Sequence, residues 1–132
     1  MTYAYTKRTG LPFAAAEQRL RSALAKQGFG IITEIDAQKT VKAKLGKDMP
    51  PYKILGACNQ SFAHQAMSME PDIGVLLPCN VLLRADGDVT VISAIRPTVQ
   101  LGKAPALQPI AEEVERRLTA VVDETALPPV TR

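Results

Sequence analysis

The dipeptide Asp86-Gly87 lies between two apolar runs, Cys79 to Ala85 and Val89 to Ile95. An Asp-Gly pair in that setting is a strong short-range signal for a β-hairpin, because tight hairpin turns need positive φ angles that Gly and Asp tolerate best. A hairpin here makes the surrounding sheet mainly antiparallel. Alternation along the two runs places Val81, Leu83, Val89 and Val91 on one face and Leu82, Thr90, Ile92 and Ala94 on the other. Neither set is strongly polar, which excludes a sheet with one fully wet face. The second face is expected to be covered by the partner subunit of a homodimer, by the segment from Ile73 to Leu77, or by a small apolar ligand. The homodimer is the favoured expectation and an apolar pocket the alternative.

Two long amphipathic stretches supply the cover for the first face. After Pro12, which suits a first helical turn, Phe13, Ala16, Leu20, Ala23, Leu24 and Gln27 recur at helical spacing opposite Glu17, Arg21 and Lys26, and Gly28 closes the helix. Pro109 opens the second, with Ile110, Val114, Leu118, Val121 and Val122 as its stripe. Glu112 with Arg116 and Glu113 with Arg117 stand four apart on its wet side. Between the long helices, Tyr3 to Thr9, Phe29 to Asp36 and Tyr52 to Ala57 read as strands, and Ala37 to Gly46 and Gln60 to Met69 as short helices. Ile73 to Leu77 is apolar and of undecided state, and 102–109 reads as a loop with two prolines. The expected fold class is α+β: two layers, a mainly antiparallel sheet with two long helices on one face.

With 132 residues, 46% of them apolar and 22% charged, the chain is expected to form one domain over 1–132, with its core at about 3–123 and a frayed tail at 124–132. The net charge of +3 is spread over scattered Lys and Arg, and aromatics make up 5%, so the basic stripe and stacking platform of a nucleic-acid reader are missing. No apolar run approaches the ~18 residues that span a membrane. MTYAYTKRTG has no signal-peptide character. Two cysteines are too few for a disulfide scaffold, and the expected compartment is the cytosol.

The segments YKILGACN (52–59), Glu70-Pro71 and GVLLPCNV (74–81) carry paired Cys-Asn motifs around a Glu-Pro. In these the chain resembles the bacterial and archaeal domain-of-unknown-function family 302, from about Tyr5 to Pro97, and the later helix fits too. The resemblance implies a small α+β domain likened to a TATA-binding-protein half or a helix-grip fold, with no assigned activity. Gln60 departs from the family, which has proline there.

Chemistry, if present, centres on Cys58 and Cys79, the catalytic candidates. Cys58 ends one strand and Cys79 begins another. Antiparallel pairing would bring the thiols together, and parallel pairing would separate them. Together they would suit thiol redox or persulfide transfer, given a lowered pKa from the helix that follows Cys58 or from His64 or Lys53 as cations. The alternative reading is two small buried apolar side chains. Binding candidates are Asn59 and Asn80, which also suit capping or bridging, the strand pair Glu34 and Asp36 on one face, Lys42 beyond them, and His64. No short metal-ligand spacing and no nucleotide, hydrolase or zincin motif occurs. Neither metal nor cofactor is therefore expected, and whether the protein is an enzyme stays open. The expected function is binding of a small molecule or protein partner, with thiol chemistry as the alternative.

Overall fold

In the computed structural model, which describes residues 3–101 and 104–130, one six-stranded sheet is paired antiparallel throughout. In chain order the elements are β1 (Ala4–Thr9), α1 (Phe13–Lys26), β2 (Gly30–Asp36), α2 (Ala37–Leu45), β3 (Tyr52–Cys58), α3 (Gln60–Met69), a 3₁₀ segment (Pro71–Leu76), β4 (Cys79–Asp86) and β5 (Val89–Ile95). A short α4 (Pro97–Gln100), a second 3₁₀ turn (Pro105–Leu107), α5 (Gln108–Thr125) and β6 (Pro129–Val130) complete the chain. The strand order is β2-β3-β4-β5-β1-β6. The class is α+β as read from the sequence, and the architecture is compatible with the TATA-binding-protein-like or helix-grip label.

The two long helices pack on one face and on each other. Ala16, Leu20, Ala23 and Leu24 of α1 and Ala111, Val114, Leu118, Val121 and Val122 of α5 are buried there. All of these except Ala111 meet Leu55 of β3, Val81 and Leu83 of β4, and Ile92 and Ala94 of β5. At the end of α1, Gly28 takes a φ of 83° that closes the helix. On α5, Glu113 pairs with Arg117 as spaced, but Arg116 turns to Glu113 rather than to Glu112. The segment 102–109 is not all loop: Pro105–Leu107 is helical and α5 begins at Gln108, while Gly102 and Lys103 lie outside the described residues.

The face assignment on the hairpin is corrected. Asp86 pairs with Val89, so the turn is Gly87-Asp88, one residue later than the Asp-Gly reading. Gly87 alone has positive φ (61°), as the first central position of a type II′ turn requires. Partners across a ladder share a face, and a two-residue turn sets the odd-numbered residues of β4 opposite the even-numbered residues of β5. Ile92 and Ala94 therefore join Leu83 and Val81 under the helices, and Val89 and Val91 face away.

Val91 is nonetheless 0% exposed. Arg8 of β1 ion-pairs with Asp86 of β4, and β5 lies between those two strands. The arginine side chain must therefore cross β5 on the face of Val89 and Val91, its apolar stem covering them. The segment from Ile73 to Leu77 does not cover this face. Ile73 is buried with Ala66 and Leu107, and Leu77 packs against that second small cluster.

Of the tail expected to fray, the described residues 124–130 are tied down instead, while 131–132 lie outside the described residues. The last helix runs to Thr125, and β6 pairs Val130 with Arg8 and Pro129 with Thr9. The buried Thr9 hydroxyl donates to the Pro128 carbonyl at 3.3 Å. The sequence Leu-Pro-Pro signals a break in helix, and it gave no hint that Pro129 and Val130 find a free strand edge.

Candidate functional site

In β3 and β4, Ala57 pairs with Cys79. The chain leaves the end of β3, runs through α3 and the 3₁₀ segment, and re-enters the sheet at the same end, so Cys58 and Cys79 lie at one corner. Asn59 builds this corner. Its Oδ1 accepts from the Phe62 N–H at 3.1 Å, capping α3, and its Nδ2 donates to the Gly28 carbonyl at 3.1 Å. A Cβ on Gly28 would stand 3.1 Å from Asn59 Nδ2 and 3.2 Å from Arg117 Nη1, so the tie also needs glycine for space. Arg117 lies 5.0 Å over the Phe62 ring and donates to the Gln27 carbonyl at 3.1 Å.

Behind the cap is a cavity of about 50 Å³. Phe62, Ala63 and Ala66 of α3 share one helical face and form one wall, where the two alanines leave the space unfilled. Ile110 and Val114 of α5 face them. Ala57, Cys58, Leu77, Pro78 and Cys79 close the sheet side, and Asn59 is the polar side chain at the rim.

Both thiols are partly buried in this lining. Burial raises the pKa of Cys58. Burial, with a smaller contribution from the nearby Cys58, pushes Cys79 up to about 11. Both are protonated at neutral pH. The cations proposed from sequence do not lower them. Lys53 is engaged with Glu17 at 3.0 Å and Glu34 at 3.4 Å, and His64 stands on the exposed side of α3.

The remaining candidates are dispersed. Glu34 belongs to an ion cluster on the helix side, 2.8 Å from Arg21, which also holds Glu17. Burial pushes the Glu17 carboxyl up, but hydrogen bonds from Arg21 and Lys53 outweigh it and hold its pKa below the ordinary value. Asp36 caps α2 by accepting from the Lys39 N–H at 3.0 Å, and Lys42 pairs with Asp48 at 3.0 Å. Asn80 is exposed and opposite Gly56 in the ladder, and it lines a separate hollow with Leu77, Pro78 and Ile95. The structure thus unites Cys58, Asn59 and Cys79 and leaves Asn80, Glu34, Asp36, Lys42 and His64 apart from them. The sequence reading missed Phe62, Ala63 and Ala66, whose signal was a helical face carrying alanine at both inward positions. Among the described residues, no three His, Cys, Asp or Glu side chains are placed to hold a metal ion. No helix among them is long and apolar enough to cross a membrane.

A family model described as "Domain of unknown function DUF302" matches residues 5–125. The crystal structure of an uncharacterized conserved DUF302 protein from Bacillus stearothermophilus is similar, with a TM-score of 0.88 and 28% identity over 95% of this chain and 99% of that one. No curated protein matches the chain.

Proposed function

Because the chain belongs to the DUF302 family, whose description assigns no activity, we propose from the corner geometry that it is a binding domain that accepts a slender apolar group beside Cys58 and Cys79. The observation that supports this is the unfilled cavity, walled by carbon and thiol side chains with Asn59 at its rim. A space of about 50 Å³ is smaller than the ~150 Å³ that encloses a benzene ring. It suits the end of an alkyl chain whose remainder stays outside. A series of primary alcohols from propanol to octanol is expected to give saturable NMR shifts at Phe62, Ala63, Ala66 and Val114. Ala66→Leu, which fills the space, should weaken them about tenfold, the cost of losing roughly two buried methylenes. Shifts that are absent, or spread evenly over the surface, would sink this reading.

Thiol or persulfide transfer is less well supported, since nucleophilic chemistry runs through the thiolate and burial holds both groups protonated. Alkylation of Cys79 by iodoacetamide at pH 7.5 is expected to be about 10–100-fold slower than that of a free thiol, and to accelerate toward pH 11. A rate at or above the free-thiol value would revive the transfer reading.

A second copy of the chain is the proposed protein partner. Ile35, Ile54 and Leu82 form one row across the face that the long helices leave free, and Ile35 is 50% exposed. Sedimentation equilibrium should show a dimer that Ile35→Asp dissociates. A monomer at every concentration would end this proposal.

A further inference from the structure

We propose that α4 is a cover over the cavity beside Cys79, and that Glu115 of α5 is the latch that holds it down. The cover deepens the apolar-ligand reading and rests on it for what passes beneath, though not for how it is held. Pro97, the first residue of α4, and Leu101, just after its last, both line the cavity. A helix of one turn is not stable by itself, so its place depends on what ties it down.

The chain enters α4 from β5 through Arg96. The Arg96 N–H donates to the Tyr3 carbonyl at 2.9 Å, which fixes the point where the chain leaves the sheet. Beyond it, the Val99 and Gln100 N–H groups turn back to the Arg96 carbonyl, and the Leu101 N–H to that of Pro97. These bonds close the turn on itself. Among the described residues, every hydrogen bond that α4 sends to another element ends on Glu115. Its Oε1 accepts from the Thr98 N–H at 3.0 Å and from the Thr98 hydroxyl at 2.5 Å. Its Oε2 accepts from Arg96 Nε at 3.2 Å. Pro97 is buried, whereas Val99 and Gln100 are exposed and Leu101 is half-buried. The turn is therefore anchored at its start and held over the cavity by one carboxylate.

Burial pushes the Glu115 carboxyl up, but the hydrogen bonds from Thr98 and Arg96 outweigh it and hold its pKa below the ordinary value. All three bonds are thus charge-assisted, the stronger kind. Glu115 directly follows Val114 of the cavity wall, so latch and cavity share one stretch of α5. Releasing Thr98 lets α4 turn about Pro97 and lifts Leu101 from the wall, opening a way in without unfolding the sheet or the long helices.

The test compares the full-length wild type with Glu115→Gln and Thr98→Val. The initial rate at which N-ethylmaleimide labels Cys79, followed by peptide mass spectrometry at one pH, should rise about tenfold in Glu115→Gln, which keeps the acceptors and removes their charge. Thr98→Val, which leaves α5 untouched and keeps the side-chain shape, should also speed labelling and provides a second variant should the glutamine form fail to fold. Amide exchange should rise at positions 98–101 and stay as in the wild type along β5 and α5. Octanol should enter and leave faster, with its affinity little changed. Unchanged labelling in both variants overturns the latch. So does faster amide exchange throughout the fold, which would show a loosened core rather than an opened cover. Saturable alcohol binding with unchanged labelling would overturn the latch alone. Faster labelling with no alcohol binding in any form would overturn only the apolar-ligand reading.

Discussion

Leu83→Ala is expected to destabilise the fold by about 2–5 kcal/mol, the range for truncating a fully buried leucine. Leu83 is 0% exposed and lies on β4, one of the two central strands. It pairs with Lys53 on one side and Ile92 on the other. The side chain belongs to the cluster that joins the sheet to α1 and α5, so the space it vacates is bounded by two helices and three strands. Such surroundings cannot collapse inward, which puts the loss toward the upper half of the range. Urea denaturation should show a lower midpoint with an unchanged slope. Leu83→Ile, which conserves volume, should cost less than about 1.5 kcal/mol. A loss below about 1 kcal/mol for the alanine variant would mean that this part of the core is not packed as described.

Gly56→Ala is the second large effect, and it acts by adding one carbon. A Cβ at Gly56 would lie 2.0 Å from Thr33 Oγ1 and 2.7 Å from Pro78 Cγ. Thr33 sits on β2 directly opposite Gly56, just after a bulge between Ile31 and Thr33. The threonine hydroxyl can rotate away, but the proline ring cannot, and Pro78 lies in the cavity wall immediately before Cys79. Overpacking of this kind costs about 1–3 kcal/mol. The same substitution should disturb the alcohol-induced shifts, because it pushes on the wall from behind. Adding Thr33→Ala to the variant should recover part of the stability but not the binding. Full wild-type stability in Gly56→Ala would show that Pro78 has room to retreat.

How far the residues alone reveal this molecule depends on which forces are local. The stripes on α1 and α5 were legible because a helix repeats its buried face every three or four residues, and Leu20, Leu24, Val114 and Leu118 obey that rule without help from neighbours. The hairpin was legible from Asp86-Gly87, but its register was not. Whether Asp86 closes the ladder or opens the turn is decided across strands, and either two-residue turn makes Leu83 share its face with even-numbered partners such as Ile92, which leaves Val89 and Val91 on the far face. The reading that two apolar faces demand a cover overlooked a charged side chain as the cover, since Arg8 and Asp86 are far apart in sequence and meet only because β1 docks beside β5. Both Cys-Asn repeats stand at one corner of the sheet. Their roles diverged because Asn59 stands where a strand gives way to a helix, whereas Asn80 stands inside a strand with its side chain in solvent.

The position of β1 carries a kinetic consequence. The first strand is held between β5 and β6, so its ladder joins Ala4 to Ile95 and Arg8 to Val130, partners separated by most of the chain. Closing loops of that length costs more entropy than any other pairing in the sheet. The β4–β5 hairpin, by contrast, closes across two residues. One sheet therefore contains both the cheapest and the dearest kind of contact to nucleate, and its outer edge is completed by the ends of the chain only after the middle has given them something to dock against.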